Sequence, residues 1–213
     1  MHKILLFILL SFASGITAAQ PLTSSSLKNG DLLFQVNSRT DFTAAIADVT
    51  RGSDSLDISH VAIVCRSKEQ LYALEADCDS GVWMNPIDSF LKHSAQYRHH
   101  PMVLVGRLKS TNLADRCVHR AMRYIGRPYD FLFAGNDSAI YCSELVYLSY
   151  LDKRGKHLFH SHPMSFHDAS GTITPYWRNY YAKRKSQVPE GMAGTNPSDM
   201  SRDKAITIIG RLY

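Results

Sequence analysis

The chain has 213 residues and a formal net charge of +5 at pH 7, with 24 Lys and Arg against 19 Asp and Glu. Apart from Lys183-Arg184-Lys185 the basic residues are scattered, so there is no stripe for nucleic acid; a short run of this kind is ordinarily a solvated helix end. The four cysteines, Cys65, Cys78, Cys117 and Cys142, contain no CxxC pair, which removes support for a zinc ribbon or a paired redox motif.

The first residues read as an export signal. Lys3 precedes an apolar run over 4–12, and small residues lead to Thr17-Ala18-Ala19 as a cleavage site before Gln20. The run is shorter than the roughly 20 residues needed to cross a bilayer. Residues 1–19 are therefore expected to be removed, leaving 20–213 as a single periplasmic or extracellular domain with no stable membrane insertion. An even cysteine count in an exported chain ordinarily suggests disulfides. Here Cys65 and Cys117 sit inside apolar-periodic segments, where free buried cysteine is common.

After a Ser-rich lead-in over 22–29, Gly30-Asp31 opens a predicted strand over 32–36. Phe42, Ala45, Ile46 and Val49 give helical spacing over 41–51, with Thr40 or Asp41 as cap. Two strands over 59–66 and 71–76 are joined by a polar turn, and a short strand follows over 81–84. Pro86 begins a helical turn to 91, and 102–108 is a further strand. Residues 113–125 form an amphipathic helix ended by Gly126 and Pro128. A second helix covers 143–151, and 174–183 is aromatic-rich and helical. The Pro- and Gly-bearing stretch 188–197 is a loop, and 205–212 is the last strand. Strands and helices without regular βαβ alternation predict an α+β fold with a mainly antiparallel central sheet flanked by helices.

The two middle strands carry the first chemical signal. Pairing 65 with 70 places His60 opposite Glu75; pairing 66 with 71 places Glu75 on the diagonal. Either way both project from one face, because strand side chains alternate with period two. Ala62 and Ala73 share that face and leave room for another element. Val61, Ile63, Cys65, Tyr72 and Leu74 make the opposite face apolar. A charged carboxylate in such a strand is costly unless paired, and a histidine neighbour supplies the partner. The carboxylate then fixes the tautomer, so that the other ring nitrogen can take a proton. Taken alone, His60 and Glu75 read as a buried pair with no chemistry, or as a pair with Glu75 near a sheet end in solvent.

Cys142 adds a nucleophile. It lies in Ile140-Tyr141-Cys142-Ser143-Glu144-Leu145-Val146, at the first turn of a predicted helix. Helix N-termini carry partial positive charge and free N–H groups, which favour a thiolate and can hold an oxyanion. Glu144 points away from Cys142 and reads as structural, and Asp130 as a turn brace. His157, His160, His162 and His167 have HxxHxH spacing, but Ser and Pro surround them and no carboxylate pair is adjacent. They read as surface residues or as loop residues rimming a cleft, not as a metal site. Trp83 and the aromatics of 176–181 read as core and rim.

These pieces, in order, resemble the permuted papain-like amidases of the YaeF/YiiX type, which are circularly permuted relatives of the NlpC-type cysteine peptidases. The matching segments are Gly30-Asp31-Leu32-Leu33-Phe34, Ser59-His60-Val61-Ala62-Ile63-Val64, Leu74-Glu75-Ala76 with Gly81-Val82, Gly126-Arg127-Pro128-Tyr129-Asp130, Tyr141-Cys142-Ser143-Glu144-Leu145-Val146-Tyr147, and a late loop of Pro189-Glu190-Gly191 and 194–197. One departure is Ala62, where many members carry Gly. The resemblance implies a papain-like fold and a hydrolase with a Cys142, His60 and Glu75 triad, needing no cofactor and no metal. It also suggests Tyr129 as an oxyanion donor; a packing tyrosine in a Gly-Pro-bounded turn is the equal alternative. The implied substrate is a small peptide, a peptidoglycan fragment or an acyl-amide. An acyltransferase or lipid hydrolase and a non-catalytic envelope-binding module are the rival readings.

Overall fold

In the computed structural model the described residues are 21–38, 40–50, 56–136, 138–168 and 170–212. The expected export signal, residues 1–19, lies outside them. In chain order a short strand β1 (Pro21–Leu22) precedes β2 (Leu32–Gln35), all four residues of which are buried. Helix α1 (Asp41–Val49) is capped by Thr40, whose Oγ1 accepts from Thr43 N. The hairpin of β3 (His60–Ser67) and β4 (Gln70–Asp77) follows, then β5 (Gly81–Pro86) and α2 (Ile87–Lys92). A small ribbon of β6 (Gln96–Tyr97) and β7 (His100–Pro101) leads into β8 (Val103–Leu108). Helices α3 (Ala114–Met122) and α4 (Cys142–Ser149) come next, then β9 (His162–Pro163) and α5 (Pro175–Lys183). The described chain ends with β10 (Ala193–Gly194), α6 (Pro197–Ser201) and β11 (Ile206–Leu212).

The central sheet has the order β1-β11-β8-β2-β3-β4-β5. Every pairing is antiparallel except β1 with β11. The α+β expectation, with a mainly antiparallel sheet, is therefore met. Both faces are covered, as period-two alternation requires when neither face is polar. On one face Val61, Ile63, Cys65 and Leu74 pack with Leu145 and Val146 of α4 and with Cys117 and Ala121 of α3. On the other, Leu33, Ala62, Val64 and Ala73 pack with Ile87 and Phe90 of α2. The small side chains Ala62 and Ala73 thus accommodate α2, while the cysteine-bearing helix covers the opposite, more apolar face. A third cluster is aromatic: Trp177, Tyr180 and Tyr181 of α5 pack with Ala45 of α1 and Phe166.

Three segments depart from the sequence reading. The helix expected over 113–125 is α-helical only to Met122. Arg123 N and Tyr124 N bond three residues back, to Arg120 O and Ala121 O, so the last turn tightens before Gly126. The loop expected over 188–197 contains β10 and runs directly into α6, started by Asn196 as cap and Pro197 at the first position. The lead-in over 22–29 contributes Leu22 to a sheet edge.

Candidate active site

His60 is the first residue of β3, and Glu75 lies near the end of β4. The hairpin adopts the register Arg66↔Leu71 and Ile63↔Leu74, the second of the two sequence alternatives. Glu75 therefore reaches His60 diagonally, and His60 Nε2–H donates to Glu75 Oε2 at 2.6 Å. An ionised carboxylate can only accept, which places the proton on Nε2 and leaves Nδ1 as the ring nitrogen available to a thiol. Both groups are buried, His60 to 8% exposure and Glu75 to 4%.

The carboxylate has a second partner that the sequence reading missed. Asn85 Nδ2 donates to Glu75 Oε1 at 2.8 Å. Strand β5 pairs Glu75 with Trp83, so Asn85 falls on the same face two residues further along. A polar residue at an inward parity position of a strand was the available signal. Gln35 was also missed. It lies opposite His60 in the β2–β3 ladder and donates from Nε2 to Phe90 O at 2.9 Å.

Cys142 is the first residue of α4, after Tyr141 in extended conformation. N–H groups at this position have no acceptor within the helix. Glu144 Oε2 accepts from Tyr141 N at 3.3 Å, which caps the turn and makes Glu144 structural, as expected. All four cysteines are free. Although α4 packs on the face opposite His60, the two meet where β3 begins. Burial is the largest influence on the His60 ring and opposes its charge. Hydrogen bonding to Cys142, then to Glu75, and the negative charge of both outweigh it and push the imidazole pKa up to about 10.

Tyr129 reaches this place from a separate segment. Val82 N donates to Arg127 O and Gly126 N to Val82 O, so β5 holds the strap that precedes Tyr129. Gly81 makes the close approach possible: its φ is +68°, and a Cβ there would lie 2.2 Å from Arg127 O. Beyond it, Tyr129 bridges to Ile140, two residues before the cysteine. Asp130 braces the following turn by accepting from Leu132 N and Ala134 N. Burial, then the negative charge available to Cys142 and Cys78, hold the Tyr129 phenol well above its ordinary pKa, so it remains a neutral donor. Desolvation by the groups packed around it, then Cys142 and Asp77, push the Cys78 thiol up to about 12, although the residue keeps an exposed surface.

His60, Glu75, Asn85 and Tyr129 line a cleft of about 660 Å³, with Trp83 and Phe42 among its other walls. Cys142 is 6% exposed and is not part of the cleft wall; its link to the cleft runs through His60 and Tyr129. The late loop ties the parts together. Thr195 N donates to Tyr141 Oη and Ser143 Oγ to Thr195 O, while Ser198 Oγ donates to Ile58 O, two residues before the histidine.

The four sequence-predicted site residues are thus neighbours, and the histidine cluster is not. His157 stacks on Tyr147, His160 pairs with Asp203 and His167 with Glu190, all away from the cleft. Among the described residues no three His, Cys, Asp or Glu side chains gather as metal ligands.

Known proteins share this fold. An uncharacterized protein, YiiX of Escherichia coli (strain K12), is 30% identical over 128 residues, covering 60% of this chain and 59% of that protein's length. The crystal structure of metalloprotein yiiX from Escherichia coli O157:H7 superposes with a TM-score of 0.71 at 23% identity, over 86% of this chain and 97% of that one. Residues 26–210 match the family described as permuted papain-like amidase enzyme, YaeF/YiiX, C92 family, and the chain belongs to that family.

Proposed function

We propose that the protein is an exported thiol hydrolase that opens an amide bond through a covalent acyl-enzyme. The observation that carries this reading is the His60 ring, engaged by Glu75 at Nε2 while coupled to Cys142. With a pKa near 10 the ring is protonated at neutral pH. The proton the ring holds is the one Cys142 gives up, so the sulfur attacks beside an imidazolium.

Cys142 Sγ adds to the substrate carbonyl carbon, and the C=O electron pair moves to oxygen. N–H groups at the start of α4 and the Tyr129 phenol stabilise that oxyanion. As it collapses, the C–N bond breaks and His60 delivers its proton to the departing amine. The neutral imidazole next takes a proton from water, whose oxygen attacks the thioester and displaces the sulfur. The products are a carboxylic acid and the restored pair. Glu75 keeps the ring oriented throughout, and Asn85 keeps Glu75 oriented. The solved E. coli relative is described as a metalloprotein. Among the described residues of this chain no three His, Cys, Asp or Glu side chains gather as metal ligands.

The amide substrates in view are small peptides, peptidoglycan fragments and acyl-amides. Incubating the protein with envelope extract and measuring intact mass tests the reading. An acyl adduct on Cys142 is expected in wild type and absent from Cys142→Ala, whose thermal unfolding is unchanged. Full turnover by Cys142→Ala refutes the nucleophile.

A further inference from the structure

A second cavity, of about 520 Å³, adjoins the catalytic cleft, and Phe42 and Cys78 stand in the walls of both. Cys78 also meets Tyr129 and the charge of Cys142, so the passage between the two cavities lies next to the reacting groups. The inner wall of the second cavity is aromatic. The Phe42 ring stacks on Tyr180 at 5.8 Å, and Tyr176 on Tyr180 at 5.9 Å. Its rim carries Asn179, Lys183 and Arg184 from the end of α5 and Asp41 from the start of α1, all four of them exposed.

Arg184 is held in one orientation. Its guanidinium lies 3.6 Å from the centre of the Tyr180 ring and 5.6 Å from that of Phe131. Arg184 Nη1 donates to Tyr180 O at 3.2 Å. A guanidinium has five N–H donors, so most of the fork remains for another acceptor. Among the described residues neither Lys183 nor Arg184 forms an ion pair. Asp41, the carboxylate in the same cavity, pairs with neither; its charge and that of Arg184 act on the Tyr176 phenol with opposite sign. Asp130, whose charge reaches Tyr180, is committed to the N–H groups of Leu132 and Ala134. A solvated helix end accounts for Lys185, which stands outside the cavity. It does not account for a guanidinium laid on two rings.

We infer that Arg184 and Lys183 bind a carboxylate carried by the substrate, whose scissile amide then lies in the adjoining cleft. Arg184 supplies a two-pronged, charge-assisted contact, and Lys183 adds a point charge. Asp41 opposes a second negative charge in the same cavity, which selects a carboxylate over a phosphate dianion. The aromatic wall covers the apolar part of the residue that bears the acid. The inference rests on the hydrolase reading for its reaction and narrows the substrate from amides in general to those that carry a free acid close to the scissile bond.

Binding can be measured apart from turnover. The experiment titrates Cys142→Ala protein by calorimetry with N-acetyl-dialanine, which ends in a carboxylate, with its neutral C-terminal amide, and with the C-terminal amide of N-acetyl-alanylglutamate, whose acid is a side chain. At low salt at least one of the two acids should bind about tenfold more tightly than the neutral amide, and added salt should narrow the difference. Which acid is preferred identifies the carboxylate as terminal or side-chain. Arg184→Gln should remove most of the preference, and Arg184→Lys should restore only part of it, because an ammonium lacks the fork. Thermal unfolding checks that each variant is folded. Equal affinity for all three probes, or a preference unchanged in Arg184→Gln, overturns the inference. Iodoacetamide labelling of wild-type Cys142 reports separately on the hydrolase reading. Rapid labelling with no preference for an acid defeats the carboxylate site and leaves the enzyme standing. A preference that depends on Arg184, with an inert Cys142, supports the site and defeats the catalysis.

Discussion

Both oxygens of Glu75 are engaged, one by the His60 ring and one by the Asn85 amide, at 2.6 and 2.8 Å. Such a doubly held carboxylate has little freedom, and it is one of the two partners that keep the His60 proton in place against burial. The sign of the pH dependence follows. The imidazole pKa is raised, so the protonated ring is present below about pH 10 and is lost as pH rises through that value. Activity that needs this proton falls on the alkaline side there. Glu75→Gln removes the carboxylate charge, so the alkaline limb moves toward neutral pH and kcat falls by about 10²-fold or more. A pH–rate profile of the variant against wild type checks both. At this scale the sequence was informative about sides and not about register. Both alternatives put His60 and Glu75 on one face, because parity alone decides that. The choice between them lay in the turn, where Lys68 takes φ 55° and Glu69 follows, without the Asn or Gly that usually marks such a turn.

Elements place these residues by a few close approaches. Strand β5 grips the strap before Tyr129 at Val82, and Gly81 lets the backbones meet. Gly81→Ala requires a left-handed backbone and a displaced Arg127 carbonyl. The expected cost is about 1–3 kcal/mol from the backbone alone, seen as a lower midpoint in denaturant unfolding. Activity should fall further than stability, because the same strap positions Tyr129. Helix α1 was legible from its periodicity and threonine cap and α5 from its aromatic run; the Thr174 cap of α5 became visible in the structure. Helix α6 was not read, although Asn196-Pro197 is a start signal. Five residues give too little periodicity to stand out from a loop. Its task is positional: Ser198 holds the entry to β3, while Thr195, just before the helix cap, holds the nucleophile helix. No residue count in the sequence could show that a late loop bridges two segments so far apart in the chain.

At the scale of the whole molecule, a two-sided sheet lets the histidine and the cysteine come from opposite faces and meet at one end. The family resemblance identified that fold from ordered short segments, each uninformative alone; the packing of α2 against Ala62 and α4 against Ile63 became visible in the structure. The export reading belongs to this scale too. Mass spectrometry of the protein recovered from secreting cells is expected to show Gln20 as the first residue; retention of residues 1–19 would contradict it. The central claim is the pairing of Cys142 with His60, and site-resolved iodoacetamide labelling at pH 6 tests it most directly. Exposed Cys78, with its thiol pushed up to about 12, provides the accessible but unreactive reference. Cys142 should be modified far faster than Cys65, Cys78 and Cys117, and His60→Ala should abolish that advantage. Equal rates at Cys142 and Cys78, or a rate at Cys142 indifferent to His60→Ala, would contradict the account.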